Sequence, residues 1–478
     1  MSCNSGSIST YVPTPENPWN KQRIQHFFRR AGFGASSSNI SDALTKTPSV
    51  FVSDEIDAVV NLSTTAPPPW AYMAESDYTD IDTQMQEQHV EWFTEWENDM
   101  LVNPLRGRFT LFWSNHFVTR LEDYWCSSWM FDYYNVIQKN SFGNFKQFVT
   151  EIGIAPAMLI FLNGFENTAA EPNENYAREL FELFTLGVNN GYTQNDIVET
   201  ARALTGYTLI DEFCAPIIFD VNDFDATEKT IFGRTGNWGY HDLIAILFEE
   251  KGTLIANYIC EKLYTHFISP EVNAQIISEL ANTLILNDFE LVPVYKQLFK
   301  SEHFFNENAI GTIVKSPFDL YNIHYKETGF ATDSEVLLNL VWYCSEIGQK
   351  MFEPLDVAGW QGNHDWVNSS TLIGRWKSFD YFLWWTWEND KENLRDLAVN
   401  LTSNSNNPEE ITTIIVDHIL PKGLQTDLDY EIATDIFKDE VPQNYFDDNS
   451  WNLQWDTAPY QVLVLLFHII SLPEFQLK

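Results

Sequence analysis

Basic residues are scarce in this chain: 28 Lys plus Arg stand against 67 Asp plus Glu, a formal net charge of −39 over 478 residues. A surface of that sign repels phosphate backbones and argues against nucleic acid as a partner. Long apolar runs are missing too. No stretch approaches the roughly 18 residues that a membrane-spanning helix needs, and the run at 462–470 is short and interrupted by His468. The opening segment, MSCNSGSISTYVPTPENPWNK, has neither a basic stretch nor an apolar core, so it does not read as a signal peptide. The compartment therefore stays open between the cytoplasm and export with a signal outside this sequence. The five cysteines (Cys3, Cys126, Cys214, Cys260 and Cys344) are scattered, with no CxxC pair. That pattern argues against a disulfide framework and a structural zinc site, and predicts packed thiols at Cys126, Cys260 and Cys344. There is no GxSxG elbow, P-loop, HExxH or dinucleotide fingerprint, which removes the reactions those motifs serve. No repeat of fixed period is visible, so a solenoid is not supported.

What is present is a folded, helix-patterned chain, with 44% hydrophobic and 20% charged residues, the balance of an ordinary globular protein. Pro13, Pro15 and Pro18 make residues 1–20 an extended arm. Apolar residues then recur at helical spacing, predicting helices at 81–101, 104–118, 143–151, 174–186, 195–205, 241–249, 252–267, 270–286 and 289–300. Others are expected at 315–328, 334–346, 369–387, 391–402, 408–418, 429–437 and 457–470. Strand-like alternation is confined to 207–210 and 215–219, and one linker, TSNSNNP, covers 402–408. The expectation is a mainly α protein, with residues 21–478 a large, single, multi-helix bundle-like domain with long loops and at most minor β.

Residues 174–206, ENYARELFELFTLGVNNGYTQNDIVETARALTG, concentrate paired acids and arginines. On a helical wheel Glu174, Asn175, Arg178, Glu179 and Glu182 share one face, opposite Tyr176, Ala177, Leu180, Phe181, Leu183 and Phe184. Gly187 is placed to end that helix, Thr193 and Asp196 to cap the next, and Glu199 to reach Arg202. Chemically, Glu179 and Glu182 are the acid–base candidates. Arg178 and Arg202 are candidates to clamp an anionic group. The same residues also suit an ion-pair network that joins two helices. His116, at the end of an aromatic helix, is a candidate accessory base or metal ligand, and equally a satisfied core histidine among aromatics. Trp360, His364 and Asp365, in GWQGNHDW, suggest a stacking platform for a sugar, and equally a turn pinned by buried tryptophans. Asp220, Asp223 and Asp225 are weak candidates for Ca²⁺, since neither EF-hand register fits. No other metal site is expected.

HFFRRAGFG (26–34), FWSNHF (112–117), FDVNDFDATEKTIFG (219–233), EKLYTHF (261–267), IVKSPFDL (313–320) and the long segment 348–376 join the 174–206 run. Together they resemble the bacterial domain of unknown function 1800 family over nearly the whole chain. Asn222-Asp223 departs from the His-Asp that the resemblance implies. The resemblance fixes a family without a settled chemistry. The reading is a hydrolase or lyase acting on a polysaccharide-like polymer through the carboxylate–arginine cluster. The alternative is a non-catalytic scaffold or assembly partner of a cell-envelope or exported protein.

Overall fold

Helices dominate the computed structural model, which describes residues 7–209 and 212–478. The described residues hold two small antiparallel two-stranded sheets besides the helices, so the protein is mainly α. Tyr207–Thr208 pairs with Ile218–Phe219, matching the expected strand segments at 207–210 and 215–219 in part; Ile210 lies outside the described residues. The second hairpin, Lys229–Ile231 with Arg234–Gly236, is too short to give a sequence period.

Local chemistry explains most boundaries. Pro104 occupies the first turn of Pro104–His116, where a missing N–H costs nothing. Ser316 and Asp319 form a capping box at the start of Pro317–Thr328, and Thr193 and Asp196 form the expected one before Gln194–Ala203. The helices expected at 241–249 and 252–267 are one continuous helix, Tyr240–Phe267. Gly252 is absorbed because Phe289 packs where a side chain would otherwise stand. Leu243, Leu247, Ile255, Ile259 and Leu263 are buried along its whole length, so both halves are held in the core.

Tyr240–Phe267 packs on Ala274–Leu286, and Ile81–Val102 packs on Pro104–His116 and Ser334–Glu346. Aromatic rings fill the joints between these layers. Trp92, Trp96, Trp113 and Trp451 are fully buried, and Phe109 stacks on Phe267 with centroids 4.9 Å apart. The described end of the N-terminal arm is tied down: Tyr11 donates its N–H to the Lys300 carbonyl at 2.7 Å and packs on Phe305.

One expectation fails outright. Cys126 is not a packed thiol but is joined to Cys214 in a disulfide, while Cys260 and Cys344 are buried and free. The two half-cystines are 88 residues apart. Spacing rules read short Cys motifs and carry no signal at that distance. No helix among the described residues is long and apolar enough to cross a membrane.

Candidate functional site

The 174–206 run folds largely as its wheel suggests, with one exception. Asn175–Glu179 is α-helical, but Leu180–Thr185 widens into a π-helical turn, and both Leu186 and Gly187 donate their N–H to the Phe181 carbonyl. The Phe184 carbonyl accepts a hydrogen bond from His116 Nε2 at 3.0 Å.

On the polar face, Arg178 bridges Glu174 at 2.9 Å and Glu182 at 3.4 Å, and Gln194 closes the ring by donating to Glu174 at 2.8 Å. These groups are partly exposed, so each pair contributes roughly 0.3–0.5 kcal/mol. Glu179 makes no ion pair among the described residues; burial, then the neighbouring Glu182, pushes its carboxyl above the usual range. Arg202 is engaged with Glu199 at 2.8 Å, with Asp225 at 2.7 Å and with the Thr227 hydroxyl. Asp225 is held at about 2: burial opposes ionisation, but hydrogen bonds from Thr227 and then the Arg202 guanidinium outweigh it. This carboxylate is a clamp between Gln194–Ala203 and the 220s loop. Asp220 accepts from the Asn222 N–H, and among the described residues no group of three His, Cys, Asp or Glu could hold a metal ion.

His116 and Trp360 meet elsewhere. They line a cavity of about 380 Å³, together with Arg108, Lys262, His266, Asp319, Gln349, Asn363, Trp366 and Lys478 among others. Its walls come from Pro104–His116, from the last turns of Tyr240–Phe267, and from the 313–319 and 358–366 segments. Residues 477–478 complete it, where Lys478 donates its N–H to the Ile313 carbonyl at 2.8 Å beside the Val314–Leu477 bridge. Gly359 lets the 358–366 loop close down. It has φ +78°, and a Cβ there would lie 2.3 Å from Asn115 Oδ1. Asn115 consequently brackets Trp360, accepting its N–H at 2.6 Å and donating to its carbonyl at 2.9 Å. Trp360 and Trp366 are buried and pin the turn, whereas His364 and Asp365 are exposed on it and are not part of the wall.

Charge in the wall is organised around Asp319. Its carboxylate accepts from the Arg108 guanidinium and, at 2.6 Å, from the Lys478 ammonium. All three are almost fully buried. Burial alone would raise the Asp319 carboxyl, yet Arg108 and Lys478 hold it well below the usual range. Burial, reinforced by Arg108, lowers the Lys478 ammonium to about 7. His116 is held neutral by burial and then by Lys262; its Nδ1 is buried without a hydrogen-bond partner. Sequence reasoning missed Arg108, Lys262, Asp319 and Lys478. The available signal was polar residues set inside aromatic runs, as in FWSNHF and EKLYTHF.

The family model described as "Protein of unknown function (DUF1800)" matches residues 26–477. No curated protein and no solved structure matches the chain. With nearly its whole length matched, the chain belongs to the DUF1800 family.

Proposed function

We propose that this protein works through a small polar ligand held in the cavity between Arg108, His116, Lys262, Trp360 and Lys478, and that the carboxylate–arginine face of 174–202 is mainly architectural. One observation carries this reading. Segments far apart in the chain, including FWSNHF, EKLYTHF, IVKSPFDL and GWQGN, converge on a single concavity large enough for a small molecule. The reading assigns no bond-breaking step. The second reading, a hydrolase or lyase on a polysaccharide-like polymer, draws its support from Glu179, whose raised carboxyl stands beside the arginine-paired Glu182. The non-catalytic scaffold draws its support from the ion pairs of Arg178 and Arg202.

Crystals of the full chain soaked in a mixture of small organic acids, phosphate esters and sugars separate these readings. Ligand density is expected in the cavity, within reach of Lys262 and Trp360. Density over Glu179 and Glu182 instead would replace this reading with the second, and density at neither place would leave the scaffold.

A further inference from the structure

The wall of the cavity is rich in hydrogen-bond donors and poor in acceptors. Arg108 gives Nε and Nη2 to the Gly32 carbonyl and Nη2 also to Asp319, which leaves Nη1 without a partner among the described residues. Lys478 gives one ammonium proton to Asp319 and keeps two. Among the described residues Lys262 has no carboxylate within ion-pair distance; its ammonium sits 5.1 Å from the Tyr258 ring centroid. The orientations of two amides are fixed by the backbone. Gln349 Oε1 accepts the Phe318 N–H at 3.2 Å, and Asn363 Oδ1 accepts the Val314 N–H at 3.1 Å, so both NH₂ groups remain unmatched. Against these donors the wall offers one carboxylate, and both of its oxygens are engaged: Oδ1 by Arg108, Oδ2 by Lys478 and the Ser316 N–H. Two neutral acceptors stay open, His116 Nδ1 and Gln361 Oε1, because their Nε2 groups donate to the Phe184 and Gly359 carbonyls.

That balance selects among ligands. A sugar hydroxyl both donates and accepts, so a neutral polyol would meet more donors than acceptors here and leave most of its own protons unmatched. A cation would meet three cationic side chains facing one carboxylate that is already paired. A group with several acceptor oxygens and at most one proton matches the wall's excess of donors. In a protein of net charge −39 such a cluster is also the place where an anion is locally favoured. Leu111, Phe112, Ile313 and Trp360 supply apolar surface beside it.

We propose that the cavity takes the oxyanion group of a small organic acid or phosphate ester, gripped by Arg108, Lys262 and Lys478. This rests on the cavity being the functional site. Lys262 is the position to test, because it is only half-buried and lies outside the Arg108–Asp319–Lys478 knot that the fold needs.

The experiment is calorimetric titration of the full chain with inorganic phosphate, malonate and glucose at fixed ionic strength, for the parent and for Lys262→Gln. Phosphate or malonate is expected to bind and glucose not to. Lys262→Gln is expected to weaken the anion by about tenfold, the loss of one charge-assisted hydrogen bond, with its melting temperature unchanged. Preference between phosphate and malonate identifies the phosphate-ester or organic-acid source. Glucose binding as tightly as either anion, or full anion affinity in Lys262→Gln, overturns the anion assignment while leaving a cavity ligand intact. Failure of all three probes to bind overturns the anion assignment, and an empty cavity in the soaked crystals then removes the site reading with it.

Discussion

Reduction of the Cys126–Cys214 disulfide is expected to lower the unfolding free energy by about 4–5 kcal/mol, the loop-entropy value for a closure of this length, since the half-cystines are 88 residues apart. Much of the protein's marginal stability is of that size. The bond fastens the segment after residue 211 to the start of Ser127–Asn140. Around it, Trp129 donates to the Ala215 carbonyl at 3.2 Å and the Glu75 N–H to the Phe213 carbonyl at 2.9 Å. These local bonds do not cross-link the unfolded chain, so they cannot replace the covalent constraint. Denaturant unfolding of the oxidised and reduced chain, with Cys126→Ser/Cys214→Ser as a control, measures the difference. Equal midpoints for the oxidised chain and the double variant would show that the bond contributes nothing to stability.

Glu97 is expected to make stability fall as pH rises. Its side chain is fully buried in Ile81–Val102, both carboxyl oxygens lack hydrogen-bond partners, and burial lifts it to about 8, with Asn322 opposing the shift. The unfolded chain releases this proton near the ordinary value of 4.5, while the folded chain keeps it up to about 8. Below that window both states are protonated and nothing is lost. Within it the unfolded state binds fewer protons, so stability declines with pH, by an amount on the order of 5 kcal/mol once the window is crossed. Glu97→Gln keeps the shape without the proton. Its melting temperature relative to the parent should differ little at about pH 5 and should gain steadily towards pH 8. A difference that stays flat across this range would mean that Glu97 is not the buried acid described.

The helices were legible wherever burial follows one stripe. Tyr176, Ala177, Leu180, Phe181 and Phe184 face inward as their spacing predicts, Gly187 ends the helix with φ +92°, and the Thr193–Asp196 and Glu199–Arg202 pairs form. The π turn was not legible, because nothing in LFELFT distinguishes a widened turn from an α-helical one; His116, far off in sequence, donates to its Phe184 carbonyl. The continuity of Tyr240–Phe267 across residues 250–251 was not legible, because the sequence does not show the Phe289 ring packed against Gly252.

The site was harder. Asp319 resembles any capping acid and Lys262 any surface lysine until the fold brings residues 108, 262, 319 and 478 to one wall. The carboxylate cluster is legible because its members are neighbours in sequence, and the cavity is not because its members lie far apart in the chain. Of the expected site residues, His116 and Trp360 line it, Glu179, Glu182, Arg178 and Arg202 do not, and His364 and Asp365 stand exposed on the adjoining turn.

A blocking substitution tests the site most directly. Thr265 is half-buried on the cavity wall, so Thr265→Trp fills the space while sparing the buried ion pairs. In thermal-shift titrations with phosphate and malonate, the parent should be stabilised by about 2.7 kcal/mol at a hundredfold excess over Kd. Thr265→Trp, folded and with its own baseline, should show no ligand-dependent shift. An undiminished shift in Thr265→Trp would place the ligand outside this cavity and contradict the account.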